Sequence, residues 1–124
     1  MYEYVESDLM SDTIEQIKRQ ISNNKVLLYL KGTPQLPKCG FSSTVVEILK
    51  KLQISYVYVN VLTNPDIRFE LPSYANWPTF PQLYLVGELI GGCDIIQELY
   101  EKSELEILFK RASVLTSTEA IVSA

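Results

Sequence analysis

Residues 26–42 read Val26-Leu27-Leu28-Tyr29-Leu30-Lys31-Gly32-Thr33-Pro34-Gln35-Leu36-Pro37-Lys38-Cys39-Gly40-Phe41-Ser42. The first five are apolar without a polar break. A run of that length suits a strand covered on both faces. Gly32, Pro34 and Pro37 turn the next stretch into a loop. A helix is expected just after Cys39, with Phe41, Val45, Ile48, Leu49 and Leu52 as its apolar stripe. A buried strand thus leads through a cysteine-bearing loop into an amphipathic helix.

Working outward, Asp12 followed by Glu15 resembles a capping box, and Ile14, Ile17 and Ile21 repeat at helical spacing, so a first helix is expected to about Ser22. Residues 56–61 are β-branched and aromatic, as in a strand. Asn64-Pro65 opens a helix that must stop before Pro72 or soon after it. Residues 82–86 and Leu89-Ile90 flank Gly87-Glu88, a pair that fits a two-residue hairpin turn. Gly91-Gly92 is a break, and Asp94 is placed to cap a final helical region to about Arg111. A βαβ unit joined to a ββα unit gives an α/β fold, a four-stranded mixed sheet flanked by helices, with a thioredoxin-like arrangement as the leading candidate. One domain is expected over residues 11–111, with a flexible N-terminal extension at 1–10 and a flexible tail at 112–124.

The bulk numbers exclude several classes. The net charge of −4 speaks against a general nucleic-acid binder. No apolar run approaches the ~20 residues of a membrane helix. The acidic start, Met1-Tyr2-Glu3-Tyr4-Val5-Glu6, lacks the apolar stretch of a secretory signal, so a cytoplasmic location is expected. The charge is unevenly spread: residues 16–46 hold five bases (Lys18, Arg19, Lys25, Lys31 and Lys38) and no acid. That stretch is either a solvated face or a local positive field favouring a thiolate or an anionic ligand. There are two cysteines and no histidine. Histidine-based catalysis and His-ligated zinc are therefore excluded, and an iron–sulfur cluster would need ligands from outside the chain.

Cys39 sits where a loop meets a helix start. Free backbone N–H groups and the helix dipole there favour negative charge, so the thiol should ionise readily. Read alone, the alternative is an inert buried cysteine. In a Cys-x-x-Cys pair the second thiol resolves mixed disulfides. Ser42 occupies that position and cannot do so. Cys93 is the only internal alternative.

The segments Lys31-Gly32-Thr33-Pro34, Pro37-Lys38-Cys39-Gly40-Phe41-Ser42, Trp77-Pro78-Thr79-Phe80-Pro81-Gln82 and Gly91-Gly92-Cys93-Asp94 together resemble the signatures of monothiol (CGFS-type) glutaredoxins, in the same order. Asn64-Pro65-Asp66-Ile67-Arg68 is also similar. The resemblance covers roughly residues 13–111 and is to the short, single-domain bacterial-type form.

The resemblance implies that glutathione is bound, with Cys39 as the reactive thiol. It puts the glycyl carboxylate near Lys31 and Arg68, where charge-assisted hydrogen bonds suit it. Read alone, Arg68 is a surface charge beside Asp66 or Glu70. The resemblance makes Phe80 the residue before a cis proline, Pro81, presenting its backbone to the cysteinyl part of glutathione. Gly92, Cys93 and Asp94 would meet the γ-glutamyl end. It further implies a [2Fe-2S] cluster bridging a homodimer, with Cys39 of each copy and two glutathione thiols as ligands. BolA-type proteins and apo iron–sulfur proteins are the implied partners. Ser42 and the loop at residues 33–37 suit cluster holding better than rapid turnover, by the same resemblance. The competing function is a glutathione-dependent thiol–disulfide oxidoreductase acting by a monothiol route, and a third is an interaction module with an inert Cys39.

Overall fold

The computed structural model describes residues 11–112 and 121–123. The elements are α1 (Asp12–Asn23), β1 (Val26–Leu30), α2 (Gly40–Lys51), β2 (Tyr56–Asn60), α3 (Pro65–Ala75), β3 (Gln82–Leu85), β4 (Glu88–Gly91), α4 (Cys93–Glu101), α5 (Glu104–Arg111) and β5 (Ile121–Ser123). The sheet order is β4-β3-β1-β2-β5. β1 runs parallel to β2 and antiparallel to β3, and β3 pairs antiparallel with β4. The expected four-stranded mixed sheet is thus β1 to β4. Ile121–Ser123 adds a fifth, edge strand parallel to β2, with Ile121 opposite Tyr56. Three residues of the segment expected to be a flexible tail are therefore held by backbone groups that a bare β2 edge would leave unpaired. Residues 1–10, 113–120 and 124, also expected to be flexible, lie outside the described residues.

All five residues of β1 are buried, which explains the unbroken apolar run. Val26, Leu28 and Leu30 join Val45, Ile48 and Leu49 of α2 and Ile96, Leu105 and Phe109 of α4 and α5 in one core layer. Leu27 and Tyr29 join Ile17 and Ile21 of α1 and Ile67 and Leu71 of α3 in the other. Alternate side chains of one strand thus hold two helical layers to the sheet. Truncating Leu28 to Ala would cost roughly 2–5 kcal/mol.

Local chemistry departs from expectation at several ends. Ser11 caps α1, its Oγ accepting the Ile14 N–H at 3.0 Å and donating to Glu70 at 2.7 Å, while Asp12 and Glu15 lie in the first helical turn. Asn64 does not cap α3 with its side chain, because its amide donates back to the Asn60 carbonyl at 2.8 Å. α3 continues past Pro72 and ends at Asn76, whose φ of 54° is left-handed; the Trp77 N–H then returns to the Pro72 carbonyl. This turn sends the chain into residues 77–81. The hairpin turn is Val86-Gly87 and not Gly87-Glu88, with φ of 49° and 83°, as a type I′ turn requires. The final helical region is two helices, broken where Ser103 takes φ 61°. Gly92, not Asp94, stands at the N-cap of α4. Among the described residues no helix is long and apolar enough to cross a membrane.

Candidate functional site

The loop after β1 folds back on itself. The Lys38 N–H donates to the Lys31 carbonyl at 2.9 Å, and Gly32 pairs with Pro37. Gly32 has φ 103°, and a Cβ there would lie 2.6 Å from the Leu36 carbonyl oxygen, so only glycine closes this loop. The closure delivers Cys39 to the N-cap of α2, half-buried, with extended backbone and no side-chain cap bond.

Partial burial works against ionisation of Cys39. The nearby backbone N–H groups of Ser42 and Phe41, the positive charge of Lys31 and the Ser42 hydroxyl all favour its charged form. Together they hold the thiol below its ordinary value. Of the five bases in the acid-free stretch, only Lys31 lines the cavity described below. Lys18, Arg19, Lys25 and Lys38 are exposed, so most of that stretch is a solvated face.

Cys93 behaves oppositely. It is the first residue of α4 and packs against the apolar layer beneath α2. Burial and the adjacent Asp94 push its thiol up, and negative charge on Cys39 adds to this. A hydrogen bond with Thr44 offsets only part of the effect. The two thiols are therefore shifted in opposite directions.

A cavity of about 600 Å³ opens beside Cys39. Lys31, Cys39, Arg68, Phe80, Cys93 and Asp94 all line it, so these six residues from four separate segments are brought together at one cavity. Phe41 lines it too; this residue was expected in the core stripe of α2 but is 62% exposed, while Ser42 is fully buried. Arg68 is exposed and takes part in none of the ion pairs among the described residues, which join Arg19 to Glu15, Lys102 to Glu98 and Lys110 to Glu106. Glu70 is engaged by Ser11. Two cations thus face the cavity wall near an ionisable thiol. Gly92, Cys93 and Asp94 at the start of α4 line the same cavity, and free N–H groups at a helix start favour an anion.

The wall formed by residues 77–80 is fastened by a residue to which the sequence reading gave no role. Gln82 is fully buried. Its Nε2 donates to the carbonyls of Trp77 at 3.0 Å and Thr79 at 3.2 Å, and its Oε1 accepts the Tyr84 hydroxyl at 2.9 Å. A glutamine opening an otherwise apolar strand was the available signal. The Phe80-Pro81 bond is cis, as the resemblance implied. Trp77 packs close to Gly92, where a Cβ would come within 3.1 Å of both the indole nitrogen and the Pro81 carbonyl oxygen. The Trp77 indole N–H is itself buried without a partner among the described residues.

Asn60, at the end of β2, was also missed. Its Oδ1 accepts two N–H groups at 2.9 Å each, from Gly32 and from Leu62. No group of three or more His, Cys, Asp or Glu side chains that could hold a metal ion converges among the described residues.

The glutaredoxin family model matches residues 26–90. Glutaredoxin 4 of Haemophilus ducreyi is 57% identical over 102 residues, covering 82% of this chain and 95% of that one. Glutaredoxin 4 of Escherichia coli K12 is 54% identical over 110 residues, covering 89% of this chain and 96% of that one. The solution structure of reduced poplar apo GrxS14 superposes with a TM-score of 0.69 at 45% identity, covering 80% of this chain and 91% of that one.

Proposed function

This chain belongs to the glutaredoxin family, as a monothiol member, and from that premise we propose that it binds glutathione in the cavity beside Cys39 and carries a [2Fe-2S] cluster between two copies, in iron–sulfur cluster assembly or transfer. The observation that carries the reading is the division of labour around one thiol. The Cys39 thiol is lowered at the cavity, Ser42 stands where a second thiol would be, and the Cys93 thiol is pushed up. Thiolates are the ligands such a cluster takes. One chain supplies one, two chains supply two, and two glutathione thiols complete four.

The cavity's chemistry fits glutathione, which carries two carboxylates, an ammonium and a thiol. Lys31 and Arg68 would hold the glycyl carboxylate. Phe80 would offer its backbone to the cysteinyl part, while the N–H groups at Gly92 and Cys93 receive the γ-glutamyl carboxylate and Asp94 meets the ammonium. In this reading the cluster is cargo, released to apoproteins that hold it with their own thiolates.

The lowered Cys39 thiol also favours a second reading, an oxidoreductase. Its thiolate would attack a glutathione mixed disulfide, releasing the substrate thiolate and leaving glutathione on Cys39. A second glutathione would then attack that bond, freeing Cys39 and leaving as glutathione disulfide.

Anaerobic reconstitution with iron, sulfide and glutathione tests the first reading. A brown protein whose visible absorption requires glutathione supports it. Colourless protein with good glutathione-dependent reductase turnover transfers the assignment to the second.

A further inference from the structure

We infer that Asn60 is a positioning residue that sets the spacing of Lys31 and Arg68, the two cations proposed to share one carboxylate; the inference rests on the glutathione reading above.

The two cations belong to different parts of the chain. Lys31 follows β1 directly, and Arg68 lies in the second turn of α3. Nothing in sequence holds them together, and each is a long side chain facing solvent on one side. Asn60 joins their backbones. Its Oδ1 takes the N–H of Gly32, the residue after Lys31, and the N–H of Leu62, at the start of the connection to α3. The Asn60 carbonyl oxygen takes the Asn64 side-chain amide at 2.8 Å and the Thr63 N–H at 3.2 Å. The Asn64 carbonyl then accepts the Arg68 N–H at 3.0 Å. A continuous path therefore runs from the backbone beside Lys31, through the Asn60 side chain and carbonyl and then the Asn64 side chain and carbonyl, to the backbone of Arg68.

The Lys31 end cannot drift to compensate. Gly32 is locked by its left-handed backbone and by the absence of room for a Cβ. The Lys31 N–H is fixed by the Ser42 hydroxyl at 3.1 Å. A carboxylate held by two cations gains most when both are already in place, because ordering a long side chain on binding costs entropy. Asn60 supplies that order without touching the ligand.

Isothermal titration of glutathione and of its glycyl monoethyl ester against wild type and Asn60→Ala tests this. In the wild type the ester should bind clearly more weakly, since it lacks the carboxylate. Asn60→Ala should weaken free glutathione about three- to tenfold, the worth of about one hydrogen bond, while the ester is unaffected. Should Asn60→Ala fail to fold by circular dichroism, Asn60→Ser, whose shorter hydroxyl cannot span both N–H groups, takes its place. A variant that keeps the wild-type preference for free glutathione overturns the inference. Equal weakening of both ligands also overturns it, as the mark of a merely structural residue. If wild type itself does not distinguish the two, the carboxylate assignment of Lys31 and Arg68 falls first.

Discussion

The buried Ser42 hydroxyl accepts the backbone N–H of Lys31 at 3.1 Å, tying the first turn of α2 to the end of β1. The same hydroxyl favours the charged form of Cys39. The position where a dithiol protein carries its resolving thiol is used here to fasten the loop and to stabilise one thiolate.

Replacing Ser42 with Ala should therefore act twice. The Lys31 N–H loses its acceptor, costing about 1–2 kcal/mol in urea unfolding. The Cys39 thiol loses a donor to its charged form, so its ionisation midpoint should rise.

That midpoint is measurable by alkylation against pH, with each cysteine followed by mass spectrometry. Only the thiolate reacts, so a lowered thiol gains reactivity at lower pH and a raised one at higher pH. Cys39 should be modified with a midpoint below the ordinary thiol value and Cys93 with one above it. Lys31→Ala should move the Cys39 midpoint up and leave Cys93 nearly unchanged. A common midpoint for both cysteines would contradict the electrostatics of the site.

Gln82 gives a stability prediction with an optical readout. Gln82→Leu leaves the Trp77 and Thr79 carbonyls without a donor and the buried Tyr84 hydroxyl without an acceptor. A loss of about 3 kcal/mol is expected, the low end of about one to three for each of the three groups left unpaired, because Thr79 is open to water. Trp77 is the only tryptophan, so its fluorescence reports directly on the loop. Its emission should shift red in the variant, and a wild-type spectrum would show that the 77–80 wall does not depend on Gln82.

Removing either cation by Lys31→Ala or Arg68→Ala should weaken glutathione by about 1.5–3 kcal/mol, the range for a hydrogen bond to a charged group. Excess glutathione should partly restore cluster yield, because the defect is one of affinity. Arg68→Lys should restore less than its charge implies, since an ammonium lacks the planar two-point contact. Identical yields at every glutathione concentration would remove both residues from the site.

The sheet and the six cavity residues were legible because the features that mark them are local. An unbroken apolar run gives β1, a Pro after a strand starts α3, and the four motif segments together with residues 64–68 single out the cavity residues. The misread ends depend on competition that sequence alone does not display. Asp94 is a good cap, but Gly92 lets the chain approach Trp77 and Pro81 closely and takes the cap position. Val86 at a positive φ is unfavourable for a β-branched residue, and the hydrogen bond from its N–H to the Lys25 carbonyl helps hold it there. Ser103 breaks the last helix with neither Gly nor Pro to announce it. Asn60 acts on Gly32, 28 positions away, so its role exists only once the strands are side by side.

Native mass spectrometry of anaerobically reconstituted protein tests the central claim most directly. The expected species holds two chains, one [2Fe-2S] cluster and two glutathiones, kept in Cys93→Ser and lost in Cys39→Ser while that variant stays folded. A cluster-loaded monomer, a loaded dimer that retains its iron after all small thiols are removed, or a loaded Cys39→Ser would contradict the claim.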